Sequence, residues 1–273
     1  MRLRKMTCCG AKSHFLKFDC AKLFFRGTEK ASFALHFAKW LSGVVFCLPL
    51  LLSGADIFLA GDSTMASYGA DKYPLTGWGV KLPELCRPDV KVYNFARNGA
   101  SSRSFRESFW KKLISRVKPG DFVLIQFGHN DGFKKDTLPG TTFKENLHFF
   151  IREVRTAKAT PILLTQTVIC RFRNGEAFNK DIECAFIKAT VEVAAETGVE
   201  LVDHNAWALK KISAMGRDTA AKMYMNLEKG QYPAYPDGRV DNAHFQESGA
   251  MFFAAGFVAL AKENNLSVAG LFK

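Results

Sequence analysis

The sequence predicts an α/β protein with a parallel sheet covered by helices on both faces. Three observations carry this. From residue 56 onward, short apolar runs alternate with longer amphipathic stretches. Five such runs are separated by helical patterns, the arrangement of a parallel sheet with crossover helices. Three of the runs end in polar, glycine-containing turns, at the strand ends beyond which open parallel sheets bind their ligands.

The elements follow in order. Ile57-Phe58-Leu59-Ala60 reads as the first strand and runs into Gly61-Asp62-Ser63. A helix is expected over 77–87, then a second strand over 90–95 leading towards Asn98-Gly99. A helix over 104–117 precedes the strongest strand, 122–127, which runs into Gly128-His129-Asn130-Asp131. Next come a helix over 142–157, a strand over 161–166, a helix over 180–197, a strand over 199–203 and a helix over 205–215. Residues 216–240, with Gly216, Gly230, Pro233, Pro236 and Gly238, read as a partly irregular excursion before a last helix over 246–264. No internal repeat or second domain boundary interrupts the body.

Composition narrows the function classes. With 48% hydrophobic and 23% charged residues, the 273-residue chain is neither mostly disordered nor collagen-like nor a multi-span membrane protein. The net charge of +12 first suggests nucleic acid, but its distribution argues otherwise. Residues 1–55 hold nine Lys/Arg against two acids, whereas the other 218 residues carry 29 basic and 24 acidic groups. That body has no concentrated basic face of the kind a phosphate backbone needs, so no nucleic-acid partner is expected.

Trp40 to Ala55 carries no charge, follows Lys39 and ends in Ser53-Gly54-Ala55. This is the pattern of a secretory h-region and its cleavage site. It is short for a membrane span, which needs about 20 apolar residues, and it contains Pro49. Residues 1–55 are therefore expected to be a basic segment plus signal, with a retained anchor as the other reading, 56–273 the working domain, and the product secreted or periplasmic without a stable membrane anchor. Cys86, Cys170 and Cys184 remain in that domain, enough for at most one bridge and a thiol, and no C-x-x-C pair suggests zinc.

Chemistry concentrates at the turns. Ser63, just beyond a buried strand, is placed to begin a helix and leave its hydroxyl at the open end of the sheet; taken alone, such a serine is usually a helix N-cap. Asp241 and His244, three residues apart, can share one side of a helical turn. The carboxylate can then hold imidazole Nδ1–H and leave Nε2 free to take a proton from a serine. Taken alone, an Asp near a His is a common surface pair. Asn130 can donate its side-chain N–H to a developing oxyanion, and Gly99 can offer an unobstructed backbone N–H. His129 and Asp131 otherwise brace their loop. No G-x-S-x-G elbow, P-loop, H-E-x-x-H or Rossmann fingerprint is present.

Gly61-Asp62-Ser63-Thr64, the Gly99 turn, Gly128-His129-Asn130-Asp131 and Asp241-x-x-His244 occur in the order of the SGNH/GDSL hydrolase blocks. The chain resembles that superfamily from residue 57 to about 260. Gly61-Asp62-Ser63-Thr64-Met65-Ala66, Gly77-Trp78-Gly79 and Asp241-Asn242-Ala243-His244-Phe245 look in particular like the rhamnogalacturonan acetylesterases, which remove acetyl groups from pectin. The resemblance implies a three-layer, flavodoxin-like fold with a five-stranded parallel sheet and a serine esterase needing no cofactor. It implies Ser63 as nucleophile, His244 as base, Asp241 as its orienter, and an oxyanion hole from Ser63 N–H, Gly99 and Asn130. The second block departs from the subfamily's frequent Gly-Arg-Ser, reading Gly99-Ala100-Ser101 with Arg97 and Arg103 nearby.

The expected substrate is an acetylated polysaccharide or oligosaccharide, with pectic rhamnogalacturonan first. Trp78, Arg97, Arg103 and His129 are its candidate contacts. An SGNH lipase or thioesterase, or an acetylxylan esterase, is the alternative within the same chemistry. An inactive carbohydrate-binding relative is a distant one. A metallophosphoesterase would need an Asp-x-His on the first strand and a Gly-Asn-His that the chain lacks, so no metal is expected.

Overall fold

The computed structural model describes residues 54–273; the basic segment and nearly all of the apolar stretch expected to be a signal lie outside the described residues. β1 (Ile57–Gly61), β2 (Val92–Asn94), β3 (Phe122–Gln126), β4 (Thr160–Leu164) and β7 (Glu200–Val202) form one sheet in the order β2-β1-β3-β4-β7. Every pairing is parallel. The chain steps from β1 out to β2 and then back past β1 to β3, so the order reverses between β1 and β3. In open α/β sheets that is where ligands bind.

The strand alternation explains the layers. Ile57, Leu59, Leu124, Ile162 and Leu164 face one core, with α1 (Trp78–Lys81), α7 (His204–Met215) and α9 (Glu247–Glu263) packed over them. Phe58, Ala60, Val123, Ile125 and Leu163 face the other, under α2 (Ser102–Ser108), α3 (Trp110–Ile114), α5 (Lys144–Thr156) and α6 (Asp181–Thr197). Burial on both faces is why these strands read as continuous apolar runs. The expected three-layer fold with five parallel strands is what the chain adopts. Among the described residues no helix is long and apolar enough to cross a membrane.

Several elements differ from expectation for local reasons. The first helix is α only over Trp78–Lys81 and tightens to a 3₁₀ turn over Leu82–Leu85, because Pro83 lacks the N–H that an α ladder would use. The helix expected over 104–117 breaks at Phe109, which leaves helical dihedrals (φ −125°) and divides α2 from α3. Trp110 then packs against Phe150, the rings tilted by 40° with centroids 4.4 Å apart. α4 (His129–Lys134) and the antiparallel hairpin β5 (Phe172–Arg173) and β6 (Glu176–Ala177) were not anticipated. The excursion holds α8 (Arg217–Ala221) and three isolated bridges, Tyr224 with Phe245, Leu227 with Arg239 and Tyr232 with Tyr235. Among the described residues, Cys86 and Cys170 are buried and form no disulfide with each other.

Candidate active site

The turn after β1 is locked from three sides. Asp62 Oδ1 accepts from Thr64 N–H at 2.9 Å and from Thr64 Oγ1 at 2.8 Å, closing an Asx turn around Ser63. Tyr68 donates its hydroxyl to Ser63 O at 2.8 Å. Gly77 N–H and Trp78 N–H donate to Ala66 O and Thr64 O. A Cβ at Gly77 would lie 2.4 Å from the Met65 carbonyl carbon, so only glycine lets α1 approach this closely. Ser63 is 7% exposed.

The Asp241–His244 turn is held by the excursion before it. Met225 N–H donates to His244 O at 2.9 Å, Asp241 N–H to Asn226 Oδ1 at 3.1 Å and Asn226 Nδ2 to Asn242 Oδ1 at 2.9 Å. Cys170 N–H, from the segment after β4, donates to Asn242 O at 2.8 Å. The turn then delivers His244 Nε2 to 3.0 Å from Ser63 Oγ. His244 Nδ1 lies 2.8 Å from Asp241 Oδ2. The other carboxylate oxygen, Oδ1, accepts from Ala243 N–H at 2.9 Å and His244 N–H at 3.1 Å. Burial pushes the Asp241 carboxyl up, but the His244 ring and these backbone donors outweigh it and hold it well below the usual carboxylate range. With Nδ1–H given to an ionised carboxylate, Nε2 carries a lone pair towards the serine hydroxyl. That arrangement can withdraw the hydroxyl proton.

Two further loops border the serine. After β2, Arg97 N–H donates to Gly61 O at 3.0 Å, and the chain turns through Gly99 at φ 71°, a left-handed conformation that glycine adopts without strain. After β3, α4 brings in Asn130, whose Nδ2 is enclosed and has no hydrogen-bond partner among the described residues. Buried donors are ordinarily paired, and this amide has its N–H free to serve an incoming acceptor. Serines and aspartates join the two loops. Ser102 N–H and Oγ both donate to Asp131, the hydroxyl at 2.6 Å, Thr137 Oγ1 donates to it at 2.9 Å, and Ser101 Oγ donates to Asp136 Oδ2 at 2.5 Å. Burial pushes the Asp131 carboxyl up to about 6 against the lowering effect of those donors.

A cleft of about 420 Å³ opens beside the Gly99 loop, lined among others by Ser67, Arg97, Ser104, Phe109 and Lys134. Arg97 lies over the Phe109 ring, 5.2 Å from its centroid. Among the described residues neither Arg97 nor Lys134 has a carboxylate partner. Lys134 stands one helical turn beyond Asn130, so the cleft is bounded by both loops that flank Ser63.

Ser63, Asp241 and His244 thus come together, Gly99 and Asn130 stand on the adjoining loops, and Arg97 lines the cleft. Trp78 is a correction: it is 0% exposed, packs edge-on to His204 at 5.7 Å and gives its indole N–H to Gln126 Oε1 at 2.9 Å. It is core and cannot touch a glycan. Arg103 lies outside the cleft, paired with Glu107 at 3.0 Å on α2. His129 is also enclosed, its Nε2 3.2 Å from Thr167 Oγ1, and burial lowers its basicity, so it braces the loop as a neutral ring. Lys134 was missed, although its place four residues after Asn130 would have shown it once α4 was recognised as a helix.

The chain is similar to several known proteins. Residues 59–250 match the sequence model of the GDSL-like Lipase/Acylhydrolase family. The rhamnogalacturonan acetylesterase RhgT of Bacillus subtilis (strain 168) is 34% identical over 197 residues, covering 71% of this chain and 84% of that relative. A rhamnogalacturonan acetylesterase of Emericella nidulans is 29% identical, covering 62% of this chain and 75% of the relative. Among solved structures, protein YXIM of Bacillus subtilis superposes with a TM-score of 0.67 and 25% identity. It covers 78% of this chain, which in turn spans 57% of that protein. Axe2, an acetylxylan esterase from Geobacillus stearothermophilus, shares the fold at a TM-score of 0.54 and 19% identity, over 76% of this chain and 94% of that one.

Proposed function

Because the chain belongs to the GDSL-like Lipase/Acylhydrolase family and is a carboxylic ester hydrolase of the acetylesterase kind, we propose that it removes O-acetyl groups from a pectic polysaccharide through Ser63, His244 and Asp241. The observation that carries the mechanism is the unbroken relay from Ser63 Oγ to His244 Nε2 and from Nδ1 to Asp241. His244 Nε2 takes the Ser63 proton as Oγ attacks the acetyl carbonyl. Ser63 N–H, Gly99 N–H and Asn130 Nδ2 receive the negative oxygen of the tetrahedral intermediate. The sugar hydroxyl leaves with the proton held on His244, and the acetyl group stays on Ser63. Water then gives a proton to His244 and attacks the acyl-serine. Collapse of this second intermediate frees acetate, and Ser63 regains its proton.

Two kinds of support favour an acidic pectic glycan over a neutral one. The curated relatives quoted above are named rhamnogalacturonan acetylesterases. The cleft beside the Gly99 loop presents Arg97 and Lys134, and a guanidinium suits the two oxygens of a sugar carboxylate. An acetylated xylan backbone has no such carboxylate.

The mechanism is tested with Ser63→Ala, which is expected to abolish p-nitrophenyl acetate hydrolysis with an unchanged far-UV circular dichroism spectrum; residual turnover at the parent rate would refute it. The substrate is tested by acetate release from acetylated rhamnogalacturonan, acetylated xylan and short esters. Arg97→Ala with Lys134→Ala should raise KM for the pectic substrate several-fold and leave p-nitrophenyl acetate unaffected. Faster release from xylan than from pectin would redirect the assignment to an acetylxylan esterase.

A further inference from the structure

Among the described residues one cation touches the proposed relay, and the reaction scheme above does not use it. Arg239 Nη2 donates to Asp241 Oδ2 at 2.5 Å. This is the same oxygen that receives His244 Nδ1 at 2.8 Å. With Ala243 N–H and His244 N–H on Oδ1, two donors approach each oxygen, which fills the acceptor capacity of a carboxylate.

Local geometry aims this arginine. Arg239 exchanges both backbone hydrogen bonds with Leu227, N–H to Leu227 O at 3.0 Å and O from Leu227 N–H at 2.8 Å, so the chain here is extended. In an extended chain residues two apart point to the same side. Arg239 and Asp241 therefore face the relay together, while Val240 between them is 88% exposed. The guanidinium also lies over the Tyr235 ring, 5.4 Å from its centroid. Its side chain is 32% exposed and that of Asp241 14%, so the contact is screened only in part.

We propose that Arg239 is a positioning residue that tempers the proposed relay: it pins the Asp241 carboxylate in one rotamer and, by sharing the oxygen that holds His244, weakens that carboxylate's pull on a proton at the imidazole. The inference rests on the reading of His244 as the base. A positive charge beside an imidazole works against a proton arriving there, and the guanidinium places that charge on the oxygen that holds the ring. The other titratable groups that face this pair do not substitute for it. Tyr68, on the turn after β1, has its hydroxyl on Ser63 O and is pushed up by burial, so it stays neutral. His129, on α4, is held neutral by burial. Asp62, beside Ser63, has Oδ1 already engaged by Thr64, and Tyr235 touches the guanidinium rather than the imidazole.

The experiment is the pH dependence of kcat/KM on p-nitrophenyl acetate for the parent, Arg239→Gln and Arg239→Lys. In the glutamine variant the acid limb should move to higher pH by about half a unit to one unit, with KM nearly unchanged, because Arg239 does not meet the substrate. Lysine, which restores the charge, should bring the limb back. An NMR titration of the His244 ring in a Ser63→Ala background reads the same shift without turnover. An acid limb in Arg239→Gln that stays where the parent's lies, or moves to lower pH, overturns the proposal, as does a lysine variant indistinguishable from glutamine. Arg239→Met replaces the glutamine variant if thermal denaturation shows that one to be unfolded. If Ser63→Ala retains activity, the reading of the relay itself has failed, a result distinct from an unmoved limb.

Discussion

The side chains of this site are bound to their surroundings more tightly than a surface constellation requires. Asp241 shows this best: it is half-buried, receives donors on both oxygens and remains ionised despite desolvation. Asp241→Asn keeps the shape but presents an N–H or a neutral oxygen to His244 Nδ1, favouring the wrong tautomer. A loss of about 10³–10⁴ in kcat is expected, with little change in KM. Asn130→Ala removes one donor from the proposed oxyanion hole and should lower kcat by about 10²–10³, measurable on the same ester. Some of these residues were legible in the sequence and others were not. Ser63, Asp241 and His244 stand at strand or helix ends with chemistry-bearing neighbours. Arg239 was invisible, because its relation to Asp241 depends on the chain being extended there, and the Gly- and Pro-rich excursion gives no periodicity to read. Trp78 was a candidate contact on its aromatic chemistry alone, whereas the glycines on either side of it bring α1 so close that the ring is entombed.

At the level of elements, the loops that carry the proposed oxyanion donors are stapled together rather than independent. Asp131 on α4 receives Ser102 at the start of α2 and Thr137 beyond α4. Asp131→Ala strands both hydroxyls and Ser102 N–H. It should lower stability by about 2–4 kcal/mol and reduce kcat as well, since Gly99 lies three residues before Ser102. Chemical denaturation with a rate assay separates the two effects. The sheet was readable because β1, β3 and β4 each carry a continuous apolar run of four residues, 57–60, 122–125 and 161–164. The β5–β6 hairpin was missed despite a clear signal: Asn174-Gly175, at φ 52° and 83°, is the Asn-Gly pair favoured in two-residue hairpin loops. Its strands are two residues each, too short for an alternation pattern. The split between α2 and α3 left no signature in apolar spacing, because Phe105, Trp110 and Leu113 still fall inward.

For the molecule as a whole, acid stability is set in part by a buried histidine remote from the proposed chemistry. His204 gives Nε2–H to Phe253 O at 2.9 Å and turns Nδ1 towards Gln126 Nε2 at 3.4 Å. Burial holds its pKa down to about 4. In the unfolded chain the ring titrates near 6.5, so the unfolded state takes up the proton first. The stabilisation is therefore complete above about pH 6.5 and is lost as pH falls towards about 4. Asp131 opposes this in part, because its raised value near 6 makes protonation favour the folded state. Tm measured between pH 7 and 4 should fall less steeply in His204→Gln than in the parent. The first described residues support a second prediction. Asp56 is already tied in, its N–H to Asp121 and its carboxylate to Lys91 N–H. We propose export with cleavage after Ala55, and mass spectrometry of the secreted product should find Asp56 at the N-terminus.

The link between Ser63 and His244 spans 181 positions of sequence. The hydroxyl beyond β1 meets its imidazole only where the excursion is also in place, since Met225 and Asn226 hold the turn that carries His244. On the proposed relay, ester turnover is therefore expected to be a late signal of assembly, and a partly refolded chain is expected to carry an inert serine. During refolding from urea, ester turnover should return after the helical circular dichroism signal has recovered.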